Sequence, residues 1–154
     1  MLNALAASRL QAERLELEVT ESLVLEESDG AFITLKQLHD LGVKITLDDF
    51  GTGYSSLTNL RKFPFDKIKI DRSFVTELSA SNVDALAIVR AVVGLGSSLG
   101  MVTTAEGVET KEQLDQVRAE GCIEMQGYYF SPPRPAHEIA RLIWERATKA
   151  ASVA

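Results

Sequence analysis

The chain has 154 residues, of which 45% are hydrophobic and 25% are charged, and its 22 acidic and 16 basic residues give a net charge of −6. These values lie near the averages of folded domains and exclude an intrinsically disordered chain. No Lys/Arg cluster appears in the sequence. Because phosphate-backbone binding needs a basic face, we expect no DNA or general nucleic-acid binding.

The sequence carries no sign of a membrane or secretory destination. No apolar run reaches the ~18 residues of a membrane span, and the N-terminus lacks the zones of a secretory signal. Cys122 is the single cysteine, so it cannot form an internal disulfide. A lone cysteine suits a reducing compartment. We therefore expect a cytoplasmic protein with no membrane span in this chain.

Short apolar or β-branched runs alternate with amphipathic segments, which is typical of βα units and a parallel sheet. In chain order we predict a helical segment over 1–14, a strand over 15–20, a helix over 31–41, a strand over 44–48, a short helix over 55–61, a strand over 66–71, a helix over 83–99, a strand over 101–105, a helix over 110–120 and a strand over 123–128. A final amphipathic helix follows the proline-rich segment 131–135, and we expect its Trp144 to face the core.

The spacing of the predicted strands bears on the fold. Their ends, taken at Glu18, Asp48, Lys69, Glu106 and Gln126, are 30, 21, 37 and 20 residues apart, a mean of 27. An open doubly wound sheet and part of an eight-unit barrel both fit this spacing. Eight such units would need roughly 216 residues, which lies within the usual range of a TIM barrel and is more than this chain has.

Charged or polar residues stand at nearly every strand end, where a buried parallel strand should be apolar. In βα proteins these ends form one active site. Several carboxylates without a His or Cys set suit Mg²⁺ or Mn²⁺ better than Zn²⁺. Lys69 stands between Ile68 and Ile70, where a lysine is costly unless it meets anions. The sequence therefore predicts a carboxylate cluster that holds metal, with Lys69 beside it.

Each of these residues also has an ordinary structural interpretation. Asp48 and Asp49 cannot both point inward from a regular strand, so one must lie on a turn, which could simply be solvated. Lys69 could be an edge-strand lysine whose ammonium reaches water. Gly51-Thr52-Gly53 lacks the lysine of a Walker motif and could be a flexible turn.

Five motifs taken together resemble the EAL domain family, the bacterial cyclic di-GMP phosphodiesterases and related receptors built on a modified TIM barrel. They are Glu18-Val19-Thr20-Glu21-Ser22, Asp48-Asp49-Phe50-Gly51-Thr52-Gly53, Lys69-Ile70-Asp71, Ala105-Glu106-Gly107-Val108-Glu109 and Gln126-Gly127-Tyr128. The resemblance runs from about Arg9 to Pro135. It implies an α/β fold, a partial TIM-like (β/α) barrel of about five βα units.

The resemblance also implies roles for individual residues. Glu18, Asp48 and Asp49 would be metal ligands in a two-metal Mg²⁺ or Mn²⁺ site. Lys69 would hold the attacking water or the charge developing on phosphate, Glu106 would be a general base or orient that water, and Gln126 would complete the water network. Glu21 would anchor the loop Phe50, Gly51, Thr52, Gly53 and Tyr54, which in the family couples dimerisation to metal and substrate binding.

The family's N-terminal portion carries two further metal ligands, the glutamate of the motif that names the family and an asparagine of the next inner strand. This sequence has no counterpart for either. We therefore expect residues 1–154 to be the C-terminal part of one EAL domain, without the first strands of its barrel. Five units also leave an open sheet edge, which can pair with another chain.

The leading hypothesis is a cyclic di-GMP phosphodiesterase domain that releases the linear dinucleotide. Its expected partners are cyclic di-GMP, a second copy in a homodimer, and sensory or GGDEF domains in a longer parent protein. The alternatives are a non-catalytic cyclic di-GMP receptor or protein-interaction module, and a fragment with no activity of its own.

Overall fold

A computed structural model describes residues 2–25, 29–51, 57–78 and 82–151. Its strands are β1 (Glu16–Thr20), β2 (Lys44–Phe50), β3 (Lys67–Ile70), β4 (Val102–Ala105) and β5 (Glu124–Met125). Its helices are α1 (Leu2–Ser8), α2 (Glu21–Leu25), α3 (Asp29–Asp40), α4 (Leu57–Lys62), α5 (Arg72–Thr76), α6 (Val83–Leu99), α7 (Lys111–Ala119) and α8 (Ala136–Ala151), and a 3₁₀ turn covers Ala12–Arg14.

The five strands form one parallel sheet in the order β1-β2-β3-β4-β5, so each strand pairs with its neighbour in the chain. The register places Thr20 beside Asp48, Lys69 beside Thr104, and Ala105 beside Met125. The predicted succession of βα units is confirmed. All carboxyl ends of the strands therefore lie at one edge of the sheet, where the predicted site residues stand.

Local sequence signals place several helix ends where they were expected. The Thr110 side chain accepts from the N–H of Gln113, and the Gln113 side chain accepts from the N–H of Thr110, which is a complete capping box at the start of α7. Asn82 caps α6, and Gly100 ends it in the left-handed conformation, with φ of 73°. The predicted bounds of α6, 83–99, match the structure.

The two faces of the sheet differ sharply in polarity. Ile45 and Leu47 of β2 and Ile68 and Ile70 of β3 lie on one face and are fully buried. They belong to the main apolar core, together with Leu35 of α3 and Val89 of α6 among others. The alternate positions of the same strands place polar side chains on the opposite face. Helices thus cover the apolar face, and the polar face carries the candidate site.

Three elements differ from the sequence-based expectation. The N-terminal helix ends at Ser8, and Arg9 takes a φ of 56°, so the segment 1–14 is not one helix. Strand β5 covers two residues rather than 123–128, because the chain turns at Gly127 onto the backbone of Val108. The expected start of α4 at Ser55 lies outside the described residues.

The expectation that Trp144 faces the core is wrong, because its exposure is 69%. Ile139 and Ile143 on the same helix are also exposed. Apolar periodicity predicts that a helix has an apolar face, but it does not say which element covers that face. Among the described residues, no helix combines the length and apolar character that a membrane crossing requires.

Candidate active site

The Lys69 ammonium connects the carboxyl ends of three other strands. Its Nζ lies 2.9 Å from Glu18 Oε2 on β1, 2.9 Å from Asp48 Oδ1 on β2 and 2.8 Å from Glu106 Oε1, directly after β4. The side chain of Lys69 is only 6% exposed. A lysine in this position therefore meets the anions that its burial requires.

A break in the strand register separates the two adjacent aspartates. The pairing of β2 with β3 shifts between Leu47 and Phe50. Asp49 takes a φ of 55°, and its N–H donates to Asp48 Oδ1 at 3.1 Å. This irregularity turns both carboxylates towards the same region, although regular alternation would place them on opposite faces.

Asp48, Asp49 and Glu106 form a compact group of donors. Each offers one carboxylate oxygen, and the three oxygens lie within 4.8 Å of one another. A set made only of carboxylate oxygens fits a hard divalent cation, and it offers none of the His or Cys ligands that a structural zinc site uses. Glu18 is outside this group of three and contacts Lys69 instead.

The electrostatics of the site follow from its crowding. Burial raises the pKa of Glu106, and the charges of Asp48 and Glu18 raise it further, which outweighs the opposing effect of Lys69. Burial and the charges of Asp48 and Asp71 likewise raise the pKa of Asp49. Excess negative charge in a small space favours a bound cation.

The same carboxylates stabilise the charged form of Lys69. Burial alone would lower the pKa of Lys69, but its hydrogen bonds to Glu106, Glu18 and Asp48 outweigh burial and hold the pKa above the ordinary 10.5. Lys69 is therefore a fixed positive charge at neutral pH, suited to neutralising an anion.

Glu21 lies at the start of α2, immediately after β1, and is only 4% exposed. Its Oε2 accepts from the N–H of Gly51 at 3.4 Å, directly after Phe50 ends β2. The predicted anchor thus contacts the beginning of the predicted loop. Thr52, Gly53 and Tyr54, the rest of that loop, lie outside the described residues.

Gln126 follows β5 and is held through its backbone. Its N–H donates to the carbonyl of Ala105 at 2.8 Å, and its carbonyl accepts from the N–H of Val108 at 3.0 Å. The Gln126 side chain is exposed. The fold therefore brings the backbone of Gln126 beside the loop of Glu106.

Sequence reasoning missed a second polar layer directly beneath these residues. Its members lie on the same sheet face and precede the predicted site residues by two positions; they are Glu16, Thr46, Lys67, Thr104 and Glu124. The alternation Glu16/Glu18 and Lys67/Lys69 was the available signal, since side chains two apart share a face of a strand. Asp71 was also left without a role; it caps α5 by accepting from the N–H of Ser73 at 2.9 Å.

Comparison with known proteins agrees with this geometry. The family model of the EAL domain matches residues 1–133. A bifunctional diguanylate cyclase/cyclic di-GMP phosphodiesterase, MucR of Pseudomonas aeruginosa, is 44% identical over 137 residues, which is 89% of this chain and 20% of MucR. The curated relatives first in similarity are all much longer, and the chain spans 17% to 21% of their length.

Solved structures agree as well. The MucR phosphodiesterase in complex with c-di-GMP superposes with a TM-score of 0.84 at 44% identity, over 90% of this chain and 56% of that chain. BlrP1 of Klebsiella pneumoniae, solved with manganese and cyclic di-GMP, gives a TM-score of 0.77 at 38% identity, over 86% of this chain and 33% of that chain. The expected resemblance and its partial-barrel α/β fold are confirmed, and the chain belongs to the EAL domain family.

Proposed function

We propose that this chain supplies the C-terminal βα units of an EAL domain, which hydrolyses cyclic di-GMP to the linear dinucleotide with Mg²⁺ or Mn²⁺. The observation that carries the proposal is the meeting of Asp48, Asp49 and Glu106 within 4.8 Å. The ammonium of Lys69 lies 2.8 Å from Glu106 at the same place. Family membership makes this arrangement, at the carboxyl ends of parallel strands, the expected catalytic position.

Asp48, Asp49 and Glu106 would hold a divalent cation, and Glu18 would join them from the edge strand. When bound, the cation would withdraw charge from the phosphodiester and favour ionisation of water. Lys69 would bind the attacking water or a phosphate oxygen as a fixed positive charge. Glu106, whose pKa is raised chiefly by burial, is a stronger base than an ordinary carboxylate and would accept a proton from the attacking water. Gln126 would hydrogen-bond the same water.

The test joins this chain to the N-terminal barrel strands of the MucR phosphodiesterase domain. Conversion of cyclic di-GMP to the linear dinucleotide is measured chromatographically with Mg²⁺ or Mn²⁺. We expect turnover that falls about 10²–10³-fold in the variant Lys69→Met, because one preorganised charge is lost. The exposed Asp84 of α6 provides the matched control, and Asp84→Asn should retain full turnover. A folded chimera without turnover would contradict the proposal.

One observation favours the second candidate, a receptor that binds cyclic di-GMP without hydrolysis. Glu18 lies on β1, the edge strand of the described sheet, and its side chain is 48% exposed. A ligand position at an open edge is poorly held. Calorimetry of the 154-residue chain with Mn²⁺ and cyclic di-GMP separates the two: binding with no product favours the receptor, and absence of both favours a fragment that needs its partner strands.

The proposal extends to the domains, oligomeric state and location of the parent protein. MucR carries two activities in a chain about five times longer than the matched segment, so we propose further regulatory domains in a longer parent protein. We also propose a homodimer that uses the loop following Phe50, and a cytoplasmic location, which suits the unpaired Cys122. Light scattering with and without Mn²⁺ and cyclic di-GMP tests the dimer, which should form or strengthen when both are present.

A further inference from the structure

The polar layer beneath the site forms a continuous belt with one residue from every strand. Glu16 is the β1 member, Lys67 the β3 member and Glu124 the β5 member, joined by Thr46 of β2 and Thr104 of β4. Lys67 Nζ lies 2.8 Å from Glu16 Oε2 and 2.7 Å from Glu124 Oε2. The Thr46 hydroxyl donates to Glu16 Oε1 at 2.7 Å, and the Thr104 hydroxyl donates to Glu124 Oε2 at 3.1 Å.

Lys67 contacts carboxylates on both outer strands of the described sheet, whereas Lys69 reaches only one of them, through Glu18. Each of the two partners of Lys67 lies two strands away, since β3 is the central strand and β1 and β5 are the outer ones. Thr46 and Thr104 stand between them, both nearly fully buried. Their small side chains let the lysine reach across β2 and β4. A single side chain therefore links the two outer strands of the sheet.

The belt is placed directly under the candidate active site. Two positions after each belt residue comes a predicted site residue: Glu18, Asp48 and Lys69 lie on the same strands, and Glu106 and Gln126 follow β4 and β5 directly. Successive same-face residues of a strand are separated by about 6.6 Å. If the strands move apart at the belt, the site residues two positions further along each strand therefore move apart as well.

The contacts of Lys67 with Glu16 and Glu124 are short enough for charge-assisted hydrogen bonds. Burial would lower the pKa of Lys67, and its bonds to Glu124 and Glu16 raise it instead. The Lys67 side chain is 16% exposed, and removing it would leave the two carboxylates that it contacts without their shared counter-charge.

We propose that Lys67 is a positioning residue: through Glu16 and Glu124 it fixes the separation of β1 and β5, and so the positions of the site residues above. It does not contact the reacting atoms. The proposal rests on the proposed function only in its statement that the site binds metal and substrate. The spacing of the strands can be measured without either.

Lys44 offers a matched control for Lys67. It is also a lysine at the start of a strand, and its Nζ lies 2.8 Å from Asp66 Oδ1. That pair joins β2 to the residue just before the neighbouring strand β3, so it spans adjacent strands only. Lys67→Met and Lys44→Met therefore make the same chemical change, the loss of one ammonium group. Only Lys67→Met removes contacts with the two outer strands.

The first measurement is the β1–β5 distance in the 154-residue chain by double electron–electron resonance. Spin labels are attached at Arg14→Cys and Ile123→Cys, exposed positions just before β1 and β5, with Cys122→Ala as background. Because Lys67 reaches both outer strands, the sheet is curved, and these ends lie closer together than the about 19 Å of four flat strand spacings. We expect Lys67→Met to widen the distance distribution about twofold, and Lys44→Met and Lys67→Arg to leave it unchanged. A distribution in Lys67→Met that matches wild type would overturn the proposal.

The second measurement is Mn²⁺ binding by electron paramagnetic resonance on the unlabelled variants. Removing a positive charge beneath the carboxylates should by itself strengthen cation binding, whereas displacing the ligands should weaken it. We expect Lys67→Met to weaken Mn²⁺ binding about tenfold, with recovery in Lys67→Arg. Tighter binding would overturn the positioning role.

The two measurements also separate this proposal from the proposed function. If wild type binds no Mn²⁺ and hydrolyses nothing as a chimera, the proposed function fails, and the distance measurement still decides whether Lys67 holds the strands. If Lys67→Met lacks a folded circular dichroism spectrum, Lys67→Gln takes its place. Glutamine removes the charge but retains a hydrogen-bonding side chain, and the same widened distribution is expected.

Discussion

Lys69 Nζ lies 2.8 Å from Glu106 Oε1, across the β3–β4 pair and at the carboxyl edge of the sheet. Because Glu18 and Asp48 contact the same ammonium, three carboxylates share one nearly buried cation. Removal of the lysine would leave these carboxylates close together without a counter-charge. The Lys69–Glu106 contact therefore has consequences for the stability of the fold.

We expect Lys69→Met to lower the free energy of unfolding by about 3 kcal/mol, as for other buried pairs that lose one partner. The pKa of Lys69 is raised, so its stabilisation is fully present below the ordinary 10.5 and is lost only as pH rises beyond that value. The deficit should therefore be the same at pH 6 and pH 9. Urea unfolding without metal measures it.

Lys111 is the control for this substitution, because its pair with Asp115 is exposed and lies within one helix turn. Lys111→Met should leave the urea midpoint unchanged. Equal midpoints for Lys69→Met and Lys111→Met would show that the three contacts of Lys69 contribute nothing to the fold.

Gly127 permits a close approach of two backbone segments. A Cβ at this position would stand 2.2 Å from the carbonyl oxygen of Val108 and 2.4 Å from its nitrogen. The Val108 N–H donates to Gln126, and the Val108 carbonyl accepts from Tyr129, so the segment has little freedom to move away. We expect Gly127→Ala to lower the free energy of unfolding by about 3 kcal/mol, measured by urea unfolding.

Gly94 in α6 provides the opposite case, since a Cβ there would meet nothing within 4 Å. Gly94→Ala should raise the free energy of unfolding by about 0.5–1 kcal/mol, because alanine is the better helix former. If both substitutions act in the same direction, close backbone approach is not the reason for glycine at position 127.

Local sequence patterns were sufficient for most of the fold. The i,i+2 alternation of β3 and the Thr110/Gln113 capping box predicted their elements because the information lies within a few residues. Strand β5 was predicted too long, because the chain beyond it bonds to Val108: the Val108 N–H donates to Gln126 and its carbonyl accepts from Tyr129, and the local pattern does not include Val108. Long-range backbone contacts of this kind leave little trace in a local window.

The sequence also singled out part of the candidate site. Lys69 was singled out because an inward lysine needs anions, and the structure provides three. The belt was missed because pairing Lys67 with Glu16 and Glu124 joins strands that are not neighbours, and periodicity does not reveal such partners. The left-handed conformation of Asp49 was not predicted, since it depends on the register shift between β2 and β3.

Asp66 predicts a pH dependence of stability at the opposite edge of the sheet. Burial would raise its pKa, but hydrogen bonds from Lys44 at 2.8 Å and from the Ile45 N–H at 2.9 Å outweigh burial and lower the pKa below the ordinary 3.8. His39 adds a weaker contact at 3.7 Å. A lowered carboxyl pKa stabilises the fold above its unfolded value and ceases to do so as pH falls through the folded value.

We expect Asp66→Asn to cost about 1.5 kcal/mol at pH 7, and the difference from wild type to vanish as pH falls below 3.8. Urea unfolding at intervals from pH 7 to pH 3 measures this. Asp40→Asn, which removes an exposed i,i+4 pair with Lys36, should show little difference at any pH. A deficit of Asp66→Asn that stays constant down to pH 3 would refute the ionic origin.

Cys122 should be unreactive in the folded chain. Its side chain is 6% exposed, and its Sγ lies 3.4 Å from the carbonyl of Thr103 and 3.3 Å from that of Glu124. Burial raises the pKa of the thiol above 9.0, which reduces the thiolate that reacts with alkylating agents. We expect iodoacetamide to modify Cys122 at least about a hundredfold more slowly in the native chain than in guanidinium, since reaction requires opening of the β4–β5 region. Mass spectrometry follows the modification over time.

Lys67→Met should accelerate the modification of Cys122, because the Lys67–Glu124 pair holds β5 beside this cysteine, whereas Lys44→Met should not. Equal rates in the native and unfolded chains would show that β5 does not shield the thiol in solution.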